Sequence, residues 1–127
     1  MMGAYRRIEI ARMASRHGAT VKLAAAELGI ESFGMQLLDL PPGFDDYPEH
    51  DHASDGMEEV YVTLAGSGTF VIDGQPVPIE PSVMLRIAPG ARRRLEPGPD
   101  GVRVLAIGNA AGRRYERPPH FRLEVTA

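Results

Sequence analysis

Apolar and polar residues alternate with a period of two over 59–64, with Glu59, Tyr61 and Thr63 on one side and Val60, Val62 and Leu64 on the other. Successive side chains of an extended strand point to opposite faces, so this run predicts a strand with one polar-lined and one apolar face. Further short runs repeat the theme. SFGMQLLDL predicts a strand stopped by Pro41-Pro42-Gly43, within which Gln36 is either a polar handle in the interior or a solvent-facing residue. Gly66-Ser67-Gly68 predicts a turn from EVYVTLAG into TFVID, and Asp73-Gly74 a tight hairpin before QPVPIE. Asp100-Gly101 predicts another turn, into the strand VRVLAIG. In FRLEVT, Phe121, Leu123 and Val125 oppose Arg122, Glu124 and Thr126, which predicts a last strand. Only TVKLAAAEL reads as a helix, over 20–28, with Thr20 as N-cap and Gly29 ending it. Upstream, Ile8, Ile10 and Met13 would line a short helix or a pairing arm. Strands joined by turns with one helix indicate an antiparallel sheet protein, and no helix follows Gly-x-Gly to make it a phosphate loop.

Candidate chemistry gathers before the first of these strands. His50 and His52 stand two apart in GFDDYPEHDHASDG, so on extended backbone both imidazoles face one way and Asp51 the other. With Glu59 they form two imidazoles and a carboxylate, a donor set suited to a divalent first-row metal with positions left open. The alternative is a pair of exposed histidines among Asp45, Asp46, Glu49, Asp51 and Asp55. Tyr61 shares the face of Glu59 and would serve as an acid, a hydrogen-bond donor or plain wall. Met35, Met57 and Met84 are expected as core filler, and His120 as structural unless the tail folds back.

Composition narrows the classes. At 127 residues the chain is expected to be one domain, 1–127, with a helical segment over 1–30 and a sheet structure over 31–127. A net charge of −3 argues against a partner bound by phosphate neutralisation, so no nucleic acid is expected. No apolar run reaches the length of a membrane span or signal peptide, so no membrane partner is expected either. The absence of cysteine suits a reducing, cytoplasmic setting. Thirteen of the 14 basic residues are arginine, which is read as compositional bias.

The stretch from Gly43 to Gly66 resembles the first motif of the cupins: Gly, five residues, His-x-His, three or four residues, Glu, six residues, Gly. His50 and His52 match the histidines, Glu59 the acid and Gly66 the closing glycine; Glu58 competes for the acid but lacks the six-residue spacing to Gly66. Gly43 lies six residues before His50, and six residues separate His52 from Glu59, both in loop-like sequence that tolerates length change. The region SVMLRIAPGARR is similar to the second motif, with Ser82 and Ala88 where glycine and proline are expected, Gly90 kept, and Arg93 at the position of the fourth ligand, a histidine. The resemblance spans about residues 34–108. It implies an all-β, antiparallel, jelly-roll-like cupin barrel with a short N-terminal helix. It also implies a divalent metal (Fe, Mn, Ni or Zn) on His50, His52 and Glu59, catalytic roles for Tyr61 and Arg93, and oxidation, isomerisation or lyase chemistry on a small molecule. Homodimers are implied through the outer face carrying Val60, Val62 and Leu64.

Arg93 complicates the metal. A guanidinium ~5 Å from a dication would be repelled by several kcal/mol, roughly, at an effective dielectric of 20. Three arrangements follow: Arg93 turned to solvent, Arg93 on the anionic end of a ligand beside a three-ligand metal, or Arg93 paired with Glu59 in a metal-free pocket. The rival reading is a metal-free binding module that holds an acidic small molecule through Arg93 and His50.

Overall fold

The computed structural model describes residues 3–123. After a short 3-10 turn at Ile10–Arg12, strands β1 (Ser15–Arg16) and β2 (Val21–Lys22) form a small antiparallel ladder. Helix α1 (Ala24–Leu28) follows, then β3 (Gly34–Leu40), β4 (Met57–Ile72), β5 (Gln75–Ile79), β6 (Met84–Ile87) and β7 (Arg93–Ala110), with a final 3-10 turn at Pro119–Phe121. All pairings are antiparallel, in the order β1-β2-β3-β7-β4-β5, with β6 on the other side of β4.

Two long strands make this a barrel. The first part of β4, Glu59–Thr63, pairs with Val104–Gly108 of β7 and has β6 on its far side; the last part, Gly68–Ile72, pairs with Arg93–Pro97 and has β5 beside it. Each strand therefore runs from one sheet into the facing one, bending at bulges between Thr63 and Ala65 and between Gly66 and Gly68. Gly-Ser-Gly thus bends a continuous strand instead of reversing it, and Asp100-Gly101 likewise lies inside β7. The expected turns fail because cross-strand pairing is nearly unbroken on both sides of each glycine. Gly66 is required at its bulge: φ is +72°, and a Cβ would lie 2.1 Å from the Gly101 carbonyl oxygen. The Asp73-Gly74 hairpin is as expected, with φ of 48° and 81° joining Ile72 to its partner Gln75.

The predicted helix is shorter than expected. Val21 and Lys22 are drawn into pairing with Leu38 and Leu37, so the helix begins at Ala24, and the Thr20 hydroxyl donates to the His17 carbonyl instead of capping it. Gly29 ends the helix in the left-handed conformation, as expected. The segment 1–30 therefore contributes two sheet strands as well as its helix. The predicted last strand is not formed at its start, where Pro119–Phe121 is a 3-10 turn; residues 124–126 lie outside the described residues.

The core fills the space between the sheets with Leu38, Leu40, Tyr61, Phe70, Ile79, Ile87, Leu95, Val102 and Val104. Glu59, Tyr61 and Thr63 are buried, whereas Val60 and Val62 are half-buried and Leu64 is exposed, so the period-two alternation holds. Met84 is not core filler: it sits outward opposite Val62 and is 73% exposed. Met57 and Met35 are half-buried. Among the described residues no helix is long and apolar enough to cross a membrane.

Candidate metal centre

His50 is placed by backbone. Its N–H donates to the Arg93 carbonyl (3.0 Å) and its carbonyl accepts from the Arg93 N–H (2.8 Å), a bridge that adds residue 50 to the edge of the sheet where β7 begins. The His52 N–H donates to the Pro89 carbonyl (2.7 Å), so the extended pair is tied at both ends. Glu59 comes from the other sheet, on the inner face of β4. Because β4 and β7 cross between the sheets, residues of both meet inside the barrel. One ligand atom from each of His50, His52 and Glu59 lies within 4.8 Å of the other two.

Each imidazole is held through Nδ1. That of His50 lies 3.1 Å from the Pro48 carbonyl, which can only accept, so Nδ1 carries the proton and Nε2 the lone pair. In His52, Nδ1 lies 3.1 Å from both oxygens of Asp55, whose Oδ1 also accepts from the Met57 N–H. A second group fixing the ring through its far nitrogen is the usual support for a metal-binding histidine. His52 Nε2 is 3.1 Å from Glu59 Oε1 but off the line of a hydrogen bond, leaving this buried nitrogen without a hydrogen-bond partner among the described residues. A buried ring nitrogen directed at the shared centre fits a metal ligand once it has lost its proton, so the donor set suits the group that the sequence implies.

The electrostatics favour deprotonated ligands at two of three positions. Burial pushes the His50 pKa down, beyond what the Pro48 carbonyl restores, which favours the neutral ring. Burial alone would raise Glu59, but contacts from His52 and Tyr61 and the charges of His52 and Arg93 outweigh it, and the carboxyl lies below its ordinary range. His52 moves the other way: the nearby Glu59 carboxylate raises its pKa, against the effect of burial and with help from Asp55.

Arg93 is the largest fully buried side chain, 0% exposed. Its Nη1 donates to Glu59 Oε1 (3.1 Å) and Nη2 to the Ala88 carbonyl (2.8 Å), while Nε has no partner among the described residues. Of the three arrangements, the ion pair with Glu59 is the one observed. Its neighbours face out: Arg92 meets Glu49 and Asp51, and Arg94 meets Glu96 and Glu49. The Tyr61 hydroxyl donates to the same Glu59 oxygen at 2.6 Å, and burial pushes the phenol well above its ordinary pKa. Glu58 points outward to Arg86, so of the two acids Glu59 is the one beside the histidines.

A cavity of about 1030 Å³ opens beside the centre. Leu38, Leu40, Phe44, Tyr47, Tyr61 and Ala106 supply apolar wall, and Gln36 lines the cavity as the polar handle. His120 and Phe121 also line it, because the C-terminal segment folds over the mouth; His120 thus reaches the cavity, against expectation. That segment is tied down by Arg117, which donates to the Ala25 and Ile30 carbonyls at the end of α1, and by Arg16, which donates to the Arg122 carbonyl. Arg93 does not line the cavity, so direct contact with a ligand, as in the metal-free reading, is not open to it in this geometry. Sequence reasoning passed over Asp55 and Tyr47. The signal for Asp55 was its place three residues after His52 in a turn; Tyr47 carried none.

No protein-family model matches the chain. No curated protein sequence matches it either. Solved structures do match. A cupin protein from Bacteroides fragilis is 25% identical over 92% of this chain and 93% of its own, with a TM-score of 0.69. A predicted oxalate decarboxylase from Thermotoga maritima is 28% identical over 61% of this chain and 65% of its own, with a TM-score of 0.54. An RmlC-like cupin from Desulfovibrio desulfuricans is 24% identical over 62% and 73%, with a TM-score of 0.54. With the antiparallel barrel, the His-x-His bridge and the inward Glu59 all in place, the chain belongs to the cupin superfamily.

Proposed function

We propose that the barrel holds a divalent metal (Fe, Mn, Ni or Zn) on His50, His52 and Glu59 and acts as an enzyme on a small molecule in the adjoining cavity. The observation that carries this reading is the convergence of three ligand atoms within 4.8 Å, with both imidazoles fixed through Nδ1. When bound, such a metal supplies Lewis-acid polarisation of an oxygen ligand or activation of dioxygen, which keeps oxidation, isomerisation and lyase chemistry together as the candidate classes. The chain's own residues prepare the site. Tyr61 and Arg93 hold the Glu59 carboxylate in one orientation, and Asp55 and the Pro48 carbonyl hold the rings. Tyr61, kept as a phenol, is the group placed to hold a proton. The match to a protein described as a predicted oxalate decarboxylase supports lyase chemistry as one member of the set.

Elemental analysis of untagged protein tests the reading. A stoichiometric metal that disappears in His52→Ala supports it; no metal, even after incubation with each of the four ions, overturns it. The reading also includes a cytoplasmic setting and a homodimer formed through the face of Val60, Val62 and Leu64. A monomer in sedimentation equilibrium at micromolar concentration removes the dimer.

A further inference from the structure

The charges around the centre do not balance once a dication is added. Histidines that ligate through Nε2 are neutral, so among the three ligands only Glu59 contributes negative charge. Arg93 cancels that contribution, because its guanidinium stays protonated and lies 3.1 Å from the carboxylate with no exposed surface. Asp55 adds one negative charge behind His52, but its side chain is 52% exposed and water screens much of it. The cavity mouth offers no correction, since Arg113 and Arg114 there are offset by Asp46 and Glu116. A loaded site therefore keeps an excess of one to two positive charges inside an apolar barrel, where an unbalanced charge is costly. Three protein ligands also leave coordination positions open on a first-row metal. The ligand that meets both demands is an anion offering two oxygens.

We propose that the site takes its metal together with a small carboxylate bearing a second oxygen donor, and that Arg93 makes the two bindings cooperative without touching either partner. This rests on the metal reading above and adds the substrate class to it. Arg93 is a positioning residue in this account: it pairs with Glu59 from outside the cavity lining, offsets the negative charge the carboxylate would supply, and so leaves that role to the incoming anion.

The experiment is calorimetric titration of zinc into the full-length protein in three backgrounds: buffer, saturating glycolate, and ethylene glycol at the same concentration. Glycolate and ethylene glycol can each offer two oxygens on adjacent carbons, and they differ in charge. We expect glycolate to tighten zinc at least tenfold and ethylene glycol to change it less than twofold. In Arg93→Met, zinc alone should bind more tightly than in wild type, and the glycolate effect should fall below threefold. Zinc that binds equally well in all three backgrounds overturns the inference while the metal reading stands. A glycolate effect that survives in Arg93→Met also overturns it. No zinc binding in any background overturns both. If Arg93→Met does not fold, Arg93→Gln, which removes the charge and keeps polar reach, replaces it with the same expected and overturning results.

Discussion

Glu59→Gln isolates the charge of the buried pair from its shape. The amide keeps the volume of the side chain and an oxygen able to accept from Tyr61 and Arg93, yet it leaves the guanidinium uncompensated in a site with no exposure. At 3.1 Å and an effective dielectric of 20, the attraction removed is about 5 kcal/mol. Breaking one side of a buried ion pair typically costs ~3–5 kcal/mol. With about 2.1 cal/mol/K per residue of unfolding entropy over 127 residues, that loss lowers Tm by about 11–19 °C. Urea and thermal unfolding of metal-free protein would measure it. Arg93→Met should cost less, because Glu59 keeps the Tyr61 hydroxyl and the nearby His52, and Glu59→Gln combined with Arg93→Met should recover part of the Glu59→Gln loss. If Glu59→Gln lies within ~1 kcal/mol of wild type, or if Arg93→Met proves the more damaging, the ion pair does not hold the barrel's interior and the reasoning is wrong.

Four further outcomes follow from the same geometry. The lowered Glu59 pKa adds stability above its unfolded value, near 4.3. That stability is lost as pH falls through the lower folded value, so wild type should lose more than Glu59→Gln below about pH 4, and parallel acid limbs would count against it. The raised His52 pKa has the opposite sign: its stabilisation is full below ~6.5 and fades as pH rises through the folded value. Metal must displace that proton, so affinity should climb up to tenfold per pH unit from about pH 6 until the ring is neutral, and Asp55→Asn should flatten the climb; a pH-independent Kd would contradict this. Gly66→Ala forces a Cβ against the Gly101 carbonyl and should cost about 2–4 kcal/mol in chemical denaturation, whereas a neutral result would mean that the β4 bend is not as described. Arg117→Ala removes the donor to the Ile30 carbonyl, while the Ala25 carbonyl keeps the Ile30 N–H, and should cost about 1.5–3 kcal/mol, with faster amide exchange over 111–123; unchanged exchange there would separate the mouth segment from Arg117.

What the sequence made legible was set by local periodicity. Alternation over 59–64 correctly separated Glu59 and Tyr61 from Val60, Val62 and Leu64, and chemistry local to Asp73-Gly74 gave the hairpin, because neither depends on distant partners; that the polar-lined face is the inner one came from the resemblance to the cupins. The failures share one cause. Glycines 66, 68 and 101 look like turns when only their own backbone freedom is considered, but β4 and β7 pair on both sides of them and turn that freedom into bulges. Val21 and Lys22 carry helix-compatible neighbours, yet Leu37 and Leu38 take them as strand partners. The cavity-lining place of His120 and the support that Arg117 gives it depend on contacts about ninety positions away in the chain, which no window along the sequence contains.

Arg93 shows why barrel and chemistry must be argued separately. Its backbone carries out the structural task of its position: it starts β7, bridges to His50, and so brings the His-x-His segment to the inner wall. Any residue able to adopt extended backbone would do that, which is why the fold tolerates arginine there. The side chain obeys a different constraint. Alternation sends 93 inward between the outward Arg92 and Arg94, so a cation is delivered into the barrel and must find an anion. Glu59 is the inward carboxylate within reach, and it is also the acid of the candidate metal centre. The substitution at one ligand position therefore changes the charge of another. On the metal reading proposed above, this coupling, more than the loss of a fourth donor atom, would set which ions and which small molecules the cavity accepts.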